Sequence, residues 1–156
     1  MAKKPTSKDA ELILRLYELR QEPELRKARS WLLVTFWPET AEDYQKVEMS
    51  LGTRENNWLR QAISYWNMAA ALVLHGTLNR SLFLEPACSG EMFFCFAKVA
   101  PFLEELREKT QNPHLLANIE RVIKGSKSGR DRLAVIEKRV AARRASLFAK
   151  PAGISA

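Results

Sequence analysis

Few residues in this chain are of the types that perform acid–base or metal chemistry, and they are far apart. The two histidines, His75 and His114, are separated by 39 positions. A di-iron helical bundle needs a glutamate three residues before a histidine, but Leu72 and Gln111 occupy those positions. Zinc sites need closely spaced cysteine or histidine pairs, which the sequence lacks. We therefore predict no metal site and no cofactor.

The two cysteines are poor candidates for nucleophilic catalysis. Cys95 stands among phenylalanines, a setting typical of a protein core, where a thiol is inert. On one helix, Cys88 and Cys95 would lie about 10 Å apart along the axis, whereas a disulfide needs Cα atoms within about 7 Å. We expect two reduced thiols. The sequence also lacks a glycine-rich phosphate loop, which argues against a familiar route to nucleotide hydrolysis.

One set of polar and aromatic residues could line a small-molecule pocket. It lies within one segment and consists of Asn57, Trp58, Gln61, Tyr65 and His75. A pocket there would make the protein a ligand carrier or an enzyme. Aromatic side chains at helical spacing are more typical of a core, however. A histidine directly before a glycine is typical of a helix C-terminus, where its charge is favourable.

The distribution of charge is the strongest functional signal. Residues 1–126 hold 17 basic and 16 acidic side chains, whereas residues 127–156 hold eight basic and two acidic ones, so the net charges are +1 and +6. At 100° per residue, Leu133, Ile136, Val140 and Leu147 form an apolar stripe about 60° wide. The sequence therefore predicts a cationic amphipathic helix. Its candidate binding residues are Arg130, Arg132, Lys138, Arg139, Arg143 and Arg144.

A helix of this kind has four possible uses. It can dock its stripe on the rest of the protein and leave its arginines in water. It can bind the phosphates of nucleic acid or a ribosome, or pack against a helix of a protein partner or a second copy. Contact with an anionic membrane fits less well, because the stripe carries no tryptophan. The linker 124–130 would let the helix detach, and we favour a non-enzymatic protein that binds a protein partner or itself.

Helical spacing of apolar residues dominates the chain, and strand alternation is nearly absent. Capping-box spacings predict helix starts at Thr6 with Asp9 and at Ser128 with Asp131. Pro101 should kink or split its helix. Residues 77–90 are expected to be irregular or to form a short helical turn. Further helices are predicted to begin at Pro23, Thr40, Thr53 and Asn112–Pro113, and the second to run to Phe36 before Pro38 stops it.

These elements predict an all-α, single-domain helical bundle of about seven helices with a basic amphipathic C-terminal helix. The expected divisions are a bundle at 7–124, the basic helix at 127–149 and a tail at 150–156. The longest unbroken apolar run, Met68–Leu74, has seven residues, whereas a membrane span needs about 20. No transmembrane segment and no signal peptide are expected, so we predict a cytoplasmic location.

Several stretches carry a resemblance to known proteins. They are Glu55–Gln61, Tyr65–Gly76, Gly90–Phe94 and Pro101–Glu108. Together they resemble a family of small, wholly helical bacterial proteins with no assigned function. The resemblance covers about residues 8–123 and leaves out the basic helix. It implies a helical fold, and it implies no reaction and no site residues.

Overall fold

The computed structural model describes residues 3–149, and within this range every regular element is helical. The prediction of a single all-α domain is confirmed. Eight helices have eight residues or more, because Pro101 splits one of the seven predicted helices in two. None of the helices in this range combines the length and apolar composition needed to cross a bilayer. The helices are α1 Ser7–Leu19, α2 Pro23–Ser30, α3 Ala41–Met49, α4 Arg54–Leu74, the short α5 Arg80–Phe83, α6 Pro86–Val99, α7 Leu103–Thr110, α8 Ala117–Lys124 and α9 Lys127–Phe148.

The long helix α4 lies at the centre of the fold. It packs against α2, α3 and α8. Three alanines on its buried face, Ala62, Ala69 and Ala70, are fully buried and allow these neighbours to approach closely. Trp66 is 1% exposed, and its ring centroid lies 5.5 Å from the Arg20 guanidinium at the end of α1. The helix α6 forms the second part of the core, and α9 covers it.

Capping boxes fix the starts of α1 and α3 where the sequence predicts them. The Asp9 amide donates to Thr6 Oγ1 at 3.3 Å, and the Thr6 amide donates to Asp9 Oδ2 at 2.7 Å. Thr40 and Asp43 make the same pair of bonds. The second Asp9 oxygen accepts from the Asn79 amide at 2.7 Å, and hydrogen bonds from Thr6 lower the pKa of Asp9. The first cap therefore also ties α1 to the turn before α5.

Two helix starts differ from the prediction on either side of Pro101. The helix α6 begins at Pro86, inside the segment expected to be irregular. Proline suits a first helical position, where its missing N–H is not needed. The helix α8 begins at Ala117 rather than at Pro113, after a turn in which Leu116 adopts a φ of 57°. That left-handed residue breaks the helical path that the sequence suggested.

The prediction that Ser128 caps α9 is wrong. The cap is Ser126, whose Oγ accepts from the Gly129 amide at 3.1 Å. The first turn of α9 then lies against the end of α8. A Cβ atom at Gly129 would stand 2.0 Å from the Ile123 carbonyl oxygen. Only glycine allows this approach, and it sets the direction in which α9 leaves α8.

The second helix does not run uniformly to Phe36. After α2 the chain forms a π-helical turn, Trp31–Thr35, which we call the π-turn. The ammonium group of the buried Lys98 on α6 donates to the carbonyl oxygens of Leu32 at 2.7 Å, Leu33 at 3.1 Å and Phe36 at 2.7 Å. These groups are the carbonyls that any helix end leaves without N–H partners. Lys98 thus closes the π-turn and ties it to α6.

The surroundings of Lys98 keep it charged at neutral pH despite its burial. Burial lowers the pKa of Lys98 to about 8, so the ammonium form still predominates at pH 7. Nζ lies 3.9 Å from the centroid of the Trp37 ring, a favourable position for a cation. The indole N–H of Trp37 donates to the Val34 carbonyl at 3.0 Å. Ring, ammonium and π-turn therefore form one connected unit.

The two free cysteines should differ sharply in reactivity. Burial raises the pKa of Cys95 to about 12, whereas Cys88 is only half-buried. At pH 8 we expect a thiol reagent to modify Cys88 alone in the native protein and both thiols in denaturant. Absorbance of the released chromophore counts the modified thiols. A Cys88→Ala variant should give no native labelling, and labelling of that variant at the rate of an unfolded chain would contradict the burial of Cys95.

Candidate functional site

The basic helix α9 is docked on the bundle over most of its length. Gly129, Leu133 and Val140 are buried, and Ile136 is partly buried. They pack on α6 and α8. Leu147, the fourth residue of the predicted apolar stripe, is 41% exposed. The docked face therefore runs for about three turns, from Gly129 to Val140, and the stripe then continues beyond the contact.

Two of the six predicted binding residues anchor α9. Arg132 Nη1 donates to the Leu84 carbonyl at 2.5 Å, and its guanidinium lies 4.2 Å from the centroid of the Phe93 ring. Arg144 Nη2 donates to the carbonyls of Lys98 at 2.7 Å and Pro38 at 3.1 Å. Burial lowers the pKa of both arginines. These two side chains are half-buried and fix the helix at two points along its length.

The other basic residues of α9 face solvent. Arg130 is exposed and donates to the Lys124 carbonyl at 2.6 Å. Among residues 3–149, Lys138, Arg139 and Arg143 are exposed and have neither a hydrogen-bond nor an ion-pair partner. Arg139 and Arg143 belong to a series of exposed side chains four residues apart, which we call the outer ridge. The outer ridge consists of Val135, Arg139, Arg143 and Leu147.

The structure does not bring all five residues predicted to share a pocket into one groove. Asn57 and Gln61 line a groove of about 620 Å³ between α3, α4 and the turn before α8. Trp58 instead lies between the Trp31 ring, at 6.1 Å between centroids, and the Arg54 guanidinium, at 4.9 Å. Trp58, Tyr65 and His75 therefore lie outside this groove, although Gln61 also borders a second depression together with Tyr65.

Tyr65 has a structural role in the core, and His75 stands exposed at a helix end. Tyr65 is buried, and its hydroxyl donates to the Leu16 carbonyl at 2.6 Å. Burial raises the pKa of Tyr65 to about 12. His75 occupies the C-cap position of α4, directly before Gly76, whose φ is +72°. This arrangement is the helix end that the sequence predicted for His75.

The groove contains polar residues that the sequence analysis did not single out. They are Glu48 on α3, Arg60, Ser64 and Asn67 on α4, and Asn112 and His114 in the turn before α8. A signal for part of this set is present in the sequence. Asn57, Gln61, Ser64 and Asn67 recur every three or four residues, so they form a polar stripe along α4. No comparable signal marks Glu48, which reaches the groove from another helix.

No metal centre is formed in the described part of the chain. Between residues 3 and 149, no three histidine, cysteine, aspartate or glutamate side chains are grouped as metal ligands would be. The arrangement offers two sites of other kinds. One is a fixed helix with an exposed, partly basic ridge, and the other is a polar groove.

These observations define a small all-α domain whose exposed basic helix is held in place by its own arginines. The family described as Domain of unknown function (DUF4760) matches residues 5–126. The chain belongs to this family. No curated protein and no solved structure matches the chain. The family match ends one residue before α9 begins, so the basic helix lies outside the matched part.

Proposed function

We propose that this protein is a non-enzymatic interaction protein that binds a protein partner, either another chain or a second copy, through the outer ridge of α9. The observation that supports the proposal is the outer ridge itself. Two of its arginines are exposed and unpaired among the described residues, and Val135 and Leu147 at its ends are 50% and 41% exposed. The anchoring of Arg132 and Arg144 leaves this ridge as the outward face of a fixed helix.

The spacing of the outer ridge indicates the chemistry of the partner. Side chains four residues apart on a helix form ridges that pack into the grooves of a second helix. Arg139 and Arg143 lie about 6 Å apart on adjacent turns and suit two carboxylates with matching separation. Val135 and Leu147, at the two ends of the outer ridge, suit apolar side chains on the partner. The partner should therefore present an acidic helix or groove with apolar ends, and we propose that the contact takes place in the cytoplasm.

A nucleic-acid partner has less support from the same surface. Phosphate binding gains from many basic contacts, but Arg132 and Arg144 are already bonded to carbonyls of the bundle. The apolar ends of the ridge would gain nothing from phosphates. Nucleic acid bound through the outer ridge would therefore overturn the proposal.

The test is site-specific crosslinking of the full chain in its native cells. A photoreactive amino acid replaces Ala142, which is exposed beside the outer ridge. We expect discrete adducts to one or a few proteins, or to a second copy of the chain. Arg139→Glu with Arg143→Glu should reduce the adducts about tenfold or more, because charge reversal makes the contact repulsive. The identified protein is then tested again with purified components.

The matched control reverses two charges elsewhere. Lys8 and Arg26 are exposed and make no side-chain bond among residues 3–149. The pair Lys8→Glu and Arg26→Glu makes the same change in net charge and should leave the adducts unchanged. Nuclease-sensitive adducts, or equal loss in both double variants, would show that the outer ridge is not a specific protein contact.

A further inference from the structure

The groove between α3, α4 and the turn before α8 has polar walls whose hydrogen-bonding capacity is unused. Its polar side chains include Glu48, Asn57, Arg60, Gln61, Asn67 and His114. Within residues 3–149, none of these six side chains makes a hydrogen bond or an ion pair. Polar side chains elsewhere in the fold, such as Asp9 and Asn56, bond to the backbone and close turns or helix ends. These six groove side chains contribute no such bond to the fold.

Two side-chain acceptors that line the groove have no donor. Glu48 Oε2 and Asn67 Oδ1 are buried, and neither has a hydrogen-bond partner in the described part of the chain. A buried acceptor without a partner destabilises the fold, and more so when it is charged. Native proteins satisfy such groups with protein, water or ligand. A ligand that carries hydrogen-bond donors would satisfy such acceptors.

The groove is also lined by the aromatic side chain of Tyr44. Tyr44 lines the groove at 2% exposure, and its pKa is raised by burial and by the nearby Glu48 carboxylate. A carboxylate, a carboxamide oxygen and an aromatic ring are the groups that recognise ammonium ions in proteins. Glu48 is the only acid that lines the groove among the described residues.

We propose that this groove binds a small molecule that carries a primary ammonium group, which the Glu48 carboxylate accepts. The ammonium has three donors, which the unpartnered Glu48 Oε2 can accept, and a second donor on the ligand can serve Asn67 Oδ1. Burial raises the pKa of Glu48 in the free protein, and a bound cation would lower it again. The remaining volume of the groove, bordered by Arg60 and His114, would hold the rest of the ligand. The site shares no residue with α9, so it is independent of the proposed protein contact.

Putrescine and 1,4-butanediol form a matched pair of probes, because they differ only in having ammonium or hydroxyl ends. Titration of the full chain is followed by the side-chain amide NMR signals of Asn57, Gln61 and Asn67. We expect putrescine to move these signals in a saturable way and butanediol to leave them in place. Ethanolamine and spermidine then show which length of amine the groove prefers.

Variants separate a specific site from general ionic attraction. Glu48→Gln keeps the shape of the side chain and removes its charge, and we expect it to weaken putrescine binding about tenfold or more. Glu108→Gln, on exposed Glu108 of α7 outside the groove, should leave binding unchanged. A direct readout is the pH titration of Glu48, followed by the NMR signal of its carboxyl carbon. The midpoint pH of this titration should fall when putrescine is present. Equal shifts with butanediol, unaltered affinity in Glu48→Gln, or an unmoved midpoint would each overturn the proposal.

Discussion

A chain that ends at residue 126 should not form a stable domain, although the family match ends there. Removal of α9 uncovers α6, whose Phe93 and Phe96 side chains are at most 1% exposed in the complete fold. Lost burial of Leu133 and Val140 alone removes about 3–6 kcal/mol, a large part of the about 5–15 kcal/mol of a typical domain. We expect the truncated chain to be insoluble or to bind a hydrophobic dye, with no cooperative thermal transition in circular dichroism.

A matched pair of substitutions isolates the packing of α9 from the effects of truncation. Leu133 is 6% exposed and Val135 is 50% exposed on the same helix. Leu133→Ala should lower the free energy of unfolding by about 2 kcal/mol or more, and Val135→Ala by less than about 0.5 kcal/mol. Similar small effects at both positions, together with a cooperatively folded 1–126 chain, would mean that α9 contributes little to the stability of the fold.

Replacement of Lys98 by methionine should be among the most damaging single substitutions in the protein. Methionine fits the space but leaves the carbonyls of Leu32, Leu33 and Phe36 without their donor. An unsatisfied buried acceptor costs about 1–3 kcal/mol, so the total loss should be about 3 kcal/mol or more. For a chain of this size, this loss lowers Tm by about 6–12 °C. Urea unfolding followed by tryptophan fluorescence measures the free energy.

The control for this prediction is an exposed lysine in the same type of helix. Lys138→Met on α9 should change the free energy of unfolding by less than about 0.5 kcal/mol. Lys98→Met should also loosen the π-turn, which is visible as faster hydrogen exchange at the Phe36 amide, a donor to the Trp31 carbonyl at 2.9 Å. A Lys98→Met protein as stable as the wild type would show that the three carbonyls find other donors.

Local signals predicted the parts of the fold that depend on neighbours in sequence. Thr6 and Thr40 cap helices because their partners stand three residues later, and Pro101 ends α6 because proline cannot continue a helix. The ends that were wrong depend on distant packing. Ser126 rather than Ser128 caps α9 because Gly129 must lie against the Ile123 carbonyl, and nothing near Ser128 in the sequence indicates that contact.

The contacts of long basic side chains could not be predicted either, because their partners lie far away in the sequence. Arg132 and Arg139 are seven residues apart on one flank of α9, but only Arg132 meets a carbonyl and an aromatic ring. Lys98 stands between apolar residues in the sequence, and no local pattern indicates its role, because the carbonyls it binds lie more than 60 positions away. The sequence shows which side chains can donate hydrogen bonds. Only the folded structure shows which backbone carbonyls lie close enough to accept them.

The two arginine anchors of α9 have a consequence for the thermodynamics of partner binding. A peptide that becomes helical only on binding loses about 1–2 kcal/mol of backbone entropy per residue at that moment. Here that entropy is already lost when the chain folds, because Arg132 and Arg144 hold the helix to the bundle. Binding would then order little more than the side chains of Arg139 and Arg143. Association should therefore show a small heat-capacity change, as expected for rigid docking of a preformed helix.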